Sequence, residues 1–295
     1  MNFFSREFGA YKTAIIRHAL EAFKDDLGSG DVTTEAVLTE NPVSCAVVIA
    51  EEDCTLAGVL EARAIMENGK VSVTGRSDGD SVKKGQKILK LEGQISEILA
   101  RERVCLNYLS RMSGIATKSR ELYEGHGPRV LFLRKTDPGL LLSEKRAVAL
   151  GGCLPHRLNL SDGVLIKDNH INELAKKLGR KKAIRLAISR ADDYRGDAKA
   201  PIEIEVEAVP EAEIAAREFK ELAGPNILML DNMSIADVKK AVKAVKAINK
   251  KVIIEASGGI TEDNIGEYLR AGADYVSTSL FMGARPCSFS LEVLR

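Results

Sequence analysis

The sequence predicts an α/β protein built around a parallel sheet, and three observations carry that expectation. After about residue 117, strand-like and helical segments alternate. The strand-like runs VLFLRK, GVLIKD, IEIEVE, ILMLDN, VIIEAS and YVSTS are short and apolar, as strands covered on both faces should be. Several of them stop abruptly in charged groups, among them Lys135, Lys167 and Asp231. A buried parallel strand has no packing use for a lysine, whereas the carboxyl ends of strands form the binding crevice in α/β folds. The helices between the runs include SEKRAVAL, ELAKKLG, EAEIAAREFKELA, IADVKKAVKAVKAI and EDNIGEYLRAG. Repeated β–α units favour a barrel. The alternation also fits a doubly wound sheet, although no G-x-G-x-x-G opens a helix.

Ahead of that region the pattern differs. Tyr11 to Leu27 carries apolar residues at helical spacing and ends at Gly28, which suits a glycine C-cap. DLGSGDVTT reads as a turn in which Asp31 can cap the following backbone. From Val43 to Gly93 short strands follow, VSCAVVIAEE, VSVTG and KILKLEG, with the polar turns RSDGDSVKKGQ between the last two. That spacing resembles the small β-sandwich of biotinyl and lipoyl carriers, but no lysine tip is present, so the segment is read as scaffold. Ile95 to Glu124 is a long helical pattern with an expected break at Ser113-Gly114. Arg101 and Arg111 on it are expected to be solvated.

Composition excludes several function classes. The 295 residues suffice for a large and a small domain, and 45% hydrophobic with 29% charged residues suits a globular chain. A net charge of +1 gives no general attraction to nucleic acid or membrane. Aromatic residues at 5%, with no tryptophan, leave no base-stacking platform. No apolar run is long enough to span a bilayer. The start, MNFFSREFGAYK, has charges in its apolar stretch and does not read as a signal peptide. Five scattered cysteines form no C-x-x-C pair, so a reducing cytoplasm is the expected setting.

The chemistry concentrates from Leu133 to Ile171, where Arg134, Lys135, His156, Arg157, Lys167 and His170 stand among glycines and apolar runs. Cations converging on strand ends imply a ligand with several negative charges. IEIEVE places Glu203, Glu205 and Glu207 on one strand face. Glu203 and Asp231 could hold Mg²⁺ and ribose hydroxyls through hard oxygen ligands, while Glu205 could pair with a lysine. EASGGI leaves its strand through Ser257, Gly258 and Gly259 toward a helix near Thr261, so backbone N–H groups there can approach a phosphate. Ser279, at the end of the next strand, would complete that cup.

Four blocks occur in the order in which quinolinate phosphoribosyltransferases carry them: RKTDPG (Arg134 to Gly139), EKRAV (Glu144 to Val148), GGCLPHR (Gly151 to Arg157) and LIKDNHI (Leu165 to Ile171). ERVCLNYLSRMSGIAT (Glu102 to Thr117) is similar to a further block of that family. The chain resembles the family over roughly its whole length. The resemblance implies a type II phosphoribosyltransferase with an open seven-stranded α/β barrel at 116–281. An N-terminal α/β sandwich domain would span 1–115, with the tail from about 282 to 295 packing on it. It implies phosphoribosyl transfer from phosphoribosyl pyrophosphate to quinolinate, giving nicotinate mononucleotide, pyrophosphate and CO₂ in NAD biosynthesis, with Mg²⁺ as cofactor. On this resemblance Arg103, Arg134, His156, Arg157 and Lys167 hold the two carboxylates, and Lys135 serves both acid and pyrophosphate. Lys135, Glu203 and Asp231 are then the catalytic set. The resemblance also implies a homodimer or higher multiple with shared sites, in which Arg103 reaches the neighbouring subunit's site.

Two departures stand out. Phe132 and Leu133 replace the polar residues usual before R-K-T, and Ser279 is followed by LFMGA where the family has a histidine-bearing loop. They leave open a paralogue acting on another pyridine or aromatic acid. A non-catalytic phosphoribosyl-ligand sensor is the reading from outside enzymes, and retention of Glu203 and Asp231 speaks against it.

Overall fold

The computed structural model describes residues 7–196 and 200–294. The first six residues of the segment read as lacking a signal peptide lie outside them. The elements are α1 (Lys12–Leu27), α2 (Val32–Val37), β1 (Val43–Ala50), β2 (Cys54–Thr55), α3 (Val59–Asn68), β3 (Ser72–Gly75), β4 (Ser81–Val82), β5 (Lys87–Gln94) and α4 (Ile95–His126). Then come β6 (Val130–Phe132), α5 (Leu141–Gly151), β7 (Val164–Ile166), α6 (Asp168–Leu178), α7 (Arg180–Arg195), β8 (Ile202–Val206) and α8 (Val209–Glu218). The chain closes with β9 (Asn226–Asp231), α9 (Ile235–Ile248), β10 (Ile253–Ser257), α10 (Ile265–Arg270), β11 (Tyr275–Thr278) and β12 (Phe289–Val293). Among the described residues no helix is long and apolar enough to cross a membrane.

Two compact units result. One gathers the chain up to Gly125 with Lys135–Cys153 and the end from Phe281. Its antiparallel sheet has the order β12-β1-β5-β3, and β2 pairs with β4 in a separate ribbon. The C-terminal strand is thus an edge of the N-terminal sheet, antiparallel to β1 from Ala46–Val293 to Ala50–Phe289. The segment read as all-β scaffold contains α3, whose Val59, Ala62, Ile65 and Met66 are buried at three-and-four spacing. Asp31 does cap α2, accepting from the Thr34 N–H at 3.0 Å.

Helix α4 runs unbroken for 32 residues, against the expected break at Ser113-Gly114. Gly114 serves a close approach instead: a Cβ there would meet the Arg285 carbonyl, with its carbon and the Pro286 Cα both at 3.0 Å. Arg101 and Arg111 are not solvated either. Arg101 stacks over Phe23 at 4.5 Å, donates to the Ile65 carbonyl at 3.1 Å and pairs with Glu97 at 2.6 Å. Arg111 pairs with Glu144 at 3.0 Å and Asp137 at 3.1 Å, and donates to the Ala284 carbonyl. In both, the aliphatic stem is covered and the guanidinium meets several acceptors, although Arg111 Nε finds none, and spacing along one helix cannot reveal those acceptors.

The other unit, His126–Arg134 with Leu154–Leu280, is a curled parallel sheet in the order β6-β11-β10-β9-β8-β7. All six strand-like runs are strands. The expected seventh position is reduced to a single parallel bridge, Leu131 to Leu154, with the Leu154 N–H donating to Val130 and the Phe132 N–H to Leu154. Among the described residues β7 and Leu154 form the two edges, so the barrel is open. Leu131, Leu154 and Ile227, with Ile253 and Tyr275 against them, fill its base. Above that layer the interior face turns polar, with Glu203, Glu205, Glu255, Ser257 and Ser277 all buried.

Candidate active site

Parallel register fixes which side chains share a level. Glu203 lies opposite Ile227, and Ile227 opposite Ile253. Strands in such barrels tilt by about 36°, which shifts the level by about one residue per strand. Glu203 on β8 and Glu255 on β10 show that shift. They are two strands apart and offset by two residues, yet their carboxylates reach the same His156 Nε2, at 3.2 and 3.4 Å. By the same rule Asp231 on β9 stands about three residues above Glu203, roughly 10 Å. It stands about one residue above Glu205, roughly 3 Å.

The structure therefore does not bring Glu203 and Asp231 together around one ion. Glu203 is only 3% exposed and belongs to a lower layer with His156 and Glu255. Burial, ahead of the opposing charge of His156, raises its pKa above the ordinary carboxylate value. His156 is equally hidden, at 2% exposure. Its backbone adopts φ 50°, which turns the ring inward. Burial opposes its positive charge, but Glu203 and Glu255 outweigh that and carry its pKa to about 9.

The acid at the rim is Glu205, which accepts from Lys167 Nζ at 2.7 Å. Lys167 ends β7 and leads into α6, and its backbone N–H donates to His170 Nδ1 at 2.9 Å, so His170 orients the loop. Arg134, Arg157 and Lys167 line a cleft of about 580 Å³ beside β7, within the size range of small-molecule sites. Burial first, and then the neighbouring Arg134 charge, lowers the Arg157 pKa, as two guanidiniums sharing a cleft should. Arg195 also lines it but is engaged by Asp192 and by Asn226 at 3.3 Å.

Across the rim, Asp231 is half-buried and accepts from Asn232 Nδ2, and Ser257 stands beside it in register. Gly258 has φ 84°, and a Cβ there would lie 2.8 Å from the Asn232 nitrogen, so backbone passes backbone at this turn. Gly259, at φ 63°, opens onto free space. The helix expected near Thr261 begins only at Ile265 and has six residues, so the cup rests on loop N–H groups more than on a helix end. Ser279 is exposed, and the preceding Thr278 donates its hydroxyl to the Ile260 carbonyl at 3.3 Å. Lys135 and Arg103 are both exposed and fall in the other compact unit.

Of the candidates, Arg134, Arg157 and Lys167 line one cleft, while Asp231, Ser257 and Gly258 follow one another around the β9 and β10 ends. The sequence reading missed Glu205 as the rim acid. Its period of two gave the face, and only the strand tilt gives the level.

A curled parallel sheet with a cationic cleft, carboxylates and a glycine turn at its strand ends is the architecture of an α/β-barrel enzyme. Residues 31–113 match the family described as quinolinate phosphoribosyl transferase, N-terminal domain, and residues 115–292 the corresponding C-terminal domain. The chain belongs to the quinolinate phosphoribosyltransferase family. A probable nicotinate-nucleotide pyrophosphorylase [carboxylating] of Methanothermobacter thermautotrophicus is 35% identical over 288 residues, covering 95% of this chain and 98% of that one. A tobacco (Nicotiana tabacum) protein named quinolinate phosphoribosyltransferase [decarboxylating] 2a, mitochondrial, is 36% identical over 92% of this chain and 80% of its own. The structure of the nicotinate-nucleotide pyrophosphorylase from Francisella tularensis superposes with a TM-score of 0.84 at 28% identity, covering 100% and 99% of the two chains.

Proposed function

We propose that the chain transfers the phosphoribosyl group of phosphoribosyl pyrophosphate to the ring nitrogen of quinolinate, releasing pyrophosphate and CO₂ and leaving nicotinate mononucleotide for NAD biosynthesis. The observation that carries this is the cleft holding Arg134, Arg157 and Lys167 on one side of the rim acids. Two carboxylates on adjacent ring carbons need paired cations, and a guanidinium grips a carboxylate through two parallel N–H bonds. The turn through Ser257, Gly258 and Gly259, with Ser279, takes the 5-phosphate. Lys135, which the family resemblance assigns to both the acid and the pyrophosphate, is taken to serve the pyrophosphate. Arg103 is an exposed cation on α4 and enters the site of the other subunit of a homodimer.

Mg²⁺ suits the rim and not the layer beneath it. One or two carboxylates with water and substrate phosphate is its usual share of protein ligands, and Glu205 with Asp231 offers oxygen donors only. Held there, Mg²⁺ would supply charge neutralisation for the pyrophosphate leaving group. The protein's own work is to hold the acid's ring nitrogen in line with the ribose and to present fixed cations where charge develops. After transfer, the ring nitrogen is cationic next to the 2-carboxylate and stabilises the electron pair left on C2 as CO₂ departs; that carbon then takes a proton from water, which forms the C–H bond of nicotinate mononucleotide. The five free cysteines fit a reducing compartment, which we take as the cytoplasm.

The test is acceptor selectivity. Purified protein with phosphoribosyl pyrophosphate and Mg²⁺ should consume quinolinate and leave nicotinate, which lacks the 2-carboxylate, untouched. Use of nicotinate at a comparable rate would overturn the reading.

A further inference from the structure

Lys135 is exposed and stands in a loop with no strand or helix of its own, so only the anchoring of its backbone can hold its charge in one place. The anchor begins two residues later. The Asp137 N–H donates to Glu144 Oε2 at 3.3 Å, and the Leu140 N–H turns back to the Asp137 carbonyl at 3.0 Å. The Glu144 N–H then donates to the Leu140 carbonyl at 2.9 Å, which starts α5. Glu144 itself has no exposure. Burial raises its pKa, and Arg111 is the charge that opposes this most.

Arg111, on α4, divides its planar fork between two loops. Nη2 pairs with Glu144 at 3.0 Å and with Asp137 at 3.1 Å. Nη1 donates to the Ala284 carbonyl at 3.2 Å and to the Met282 carbonyl at 3.3 Å. Both carbonyls belong to the turn that follows Ser279, Leu280–Gly283 and the residue after it. Three residues further along α4, Gly114 admits the Arg285 backbone, so the same helix seats the continuation of that turn. The single ammonium of a lysine has neither the second nitrogen nor the fixed fork that serving both loops requires.

We propose that Arg111 is a positioning residue for phosphoribosyl transfer, anchoring on α4 both the loop that carries Lys135 and the loop that leads out of Ser279. It acts through these loops and not on the substrates. The proposal rests on the function given above, in which Lys135 serves the pyrophosphate and Ser279 the 5-phosphate. A donor displaced by about 1 Å loses much of its effect on the transition state, so the cost falls on kcat.

The test compares wild type with Arg111→Lys, Arg111→Met and the double variant Arg111→Met with Glu144→Gln. Arg111→Lys keeps a positive charge beside Glu144, so its Tm should stay within about 5 °C of wild type. Its kcat should fall about tenfold to a hundredfold, while KM for quinolinate changes less than about threefold. Arg111→Met leaves Glu144 buried without its cation and should lose Tm as well. Adding Glu144→Gln should return most of that Tm and none of the kcat. Wild-type kcat in Arg111→Lys, or kcat returning together with Tm in the double variant, would reduce Arg111 to a structural ion pair and overturn the proposal.

A readout without turnover separates this claim from the function it rests on. Backbone N–H groups of 135–140 and of 281–284 should exchange with solvent at least about tenfold faster in Arg111→Lys. Faster exchange in one loop only, or in neither, refutes the shared anchor. Wild type inactive on quinolinate would sink the function given above, and affinity for inorganic pyrophosphate in Mg²⁺ buffer would then decide the role of Arg111. Binding about tenfold weaker in Arg111→Lys supports it, and equal binding, or none to wild type, refutes it.

Discussion

Gly258→Ala probes the phosphate cup directly. At φ 84° an alanine enters the left-handed region, and its Cβ would sit 2.8 Å from the Asn232 backbone nitrogen, closer than real Cβ atoms come. Left-handed strain and the contact together cost about 2–3 kcal/mol. Backbone cannot yield as a flexible side-chain end does, so the turn between β10 and α10 shifts, and the cup is restored only at the expense of binding. At about 1.4 kcal/mol per tenfold, KM for phosphoribosyl pyrophosphate should rise about thirtyfold to a hundredfold. KM for quinolinate, held on the β6–β7 side of the rim, should change less than about threefold. Steady-state kinetics with each substrate varied in turn makes the comparison, and thermal melting checks that the fold survives. An unchanged KM for phosphoribosyl pyrophosphate, or a parallel rise in both constants, would show the turn is not the phosphate cup.

Removing a cation from the cleft should act on the other substrate. Arg157→Ala should raise KM for quinolinate at least about tenfold, measured at saturating phosphoribosyl pyrophosphate. A subunit-mixing assay tests the shared site: inactive Arg103→Ala and Lys135→Ala proteins, reassorted together, should recover about a quarter of wild-type activity, because half of the C2 dimers are mixed and each has one intact site. No recovery would place both residues in one subunit's site. Arg101→Met should lower stability by about 2–3 kcal/mol in denaturant melts, since the Ile65 carbonyl loses its donor and Glu97 its partner. Glu61 is fully buried with only a distant ion pair to Arg146, at 3.8 Å, and burial outweighs Ser143 and Arg146 to raise its pKa above 4.5. The native state therefore binds a proton more tightly than the unfolded chain, so this group's cost grows as pH rises above 4.5 through the folded pKa. Glu61→Gln should have a higher Tm than wild type at pH 8, and the gap should shrink toward pH 4.5.

The strands were legible because a parallel strand buried on both faces is an unbroken apolar run, and ILMLD or VIIEAS can hardly be anything else. Lys167 and Arg157 were legible as charges that packing does not account for, and both line the cleft beside β7. The glycine turn was legible too, but its helix was set too early: Asn264 bonds Thr261 and Gly259 first, so regular helix starts only at Ile265. Depth within the barrel was not legible. The alternation in IEIEVE says that Glu203 and Glu205 share a face, but which one reaches the rim is set by strand tilt, a property of the closed sheet. His156 escaped for a related reason, since its inward turn depends on a left-handed backbone that the H-R pair does not announce. Arg101 and Arg111 were misread because a helix pattern shows spacing and not the acceptors that Ile65, Glu144 and Ala284 bring from elsewhere in the chain.

The central claim is tested most directly by following CO₂ release and nicotinate mononucleotide formation together, with purified protein, quinolinate, phosphoribosyl pyrophosphate and Mg²⁺. The account predicts that both appear one for one and that both vanish in Lys135→Ala. Phosphoribosyl pyrophosphate bound without turnover of quinolinate, or CO₂ released without the nucleotide, would contradict it.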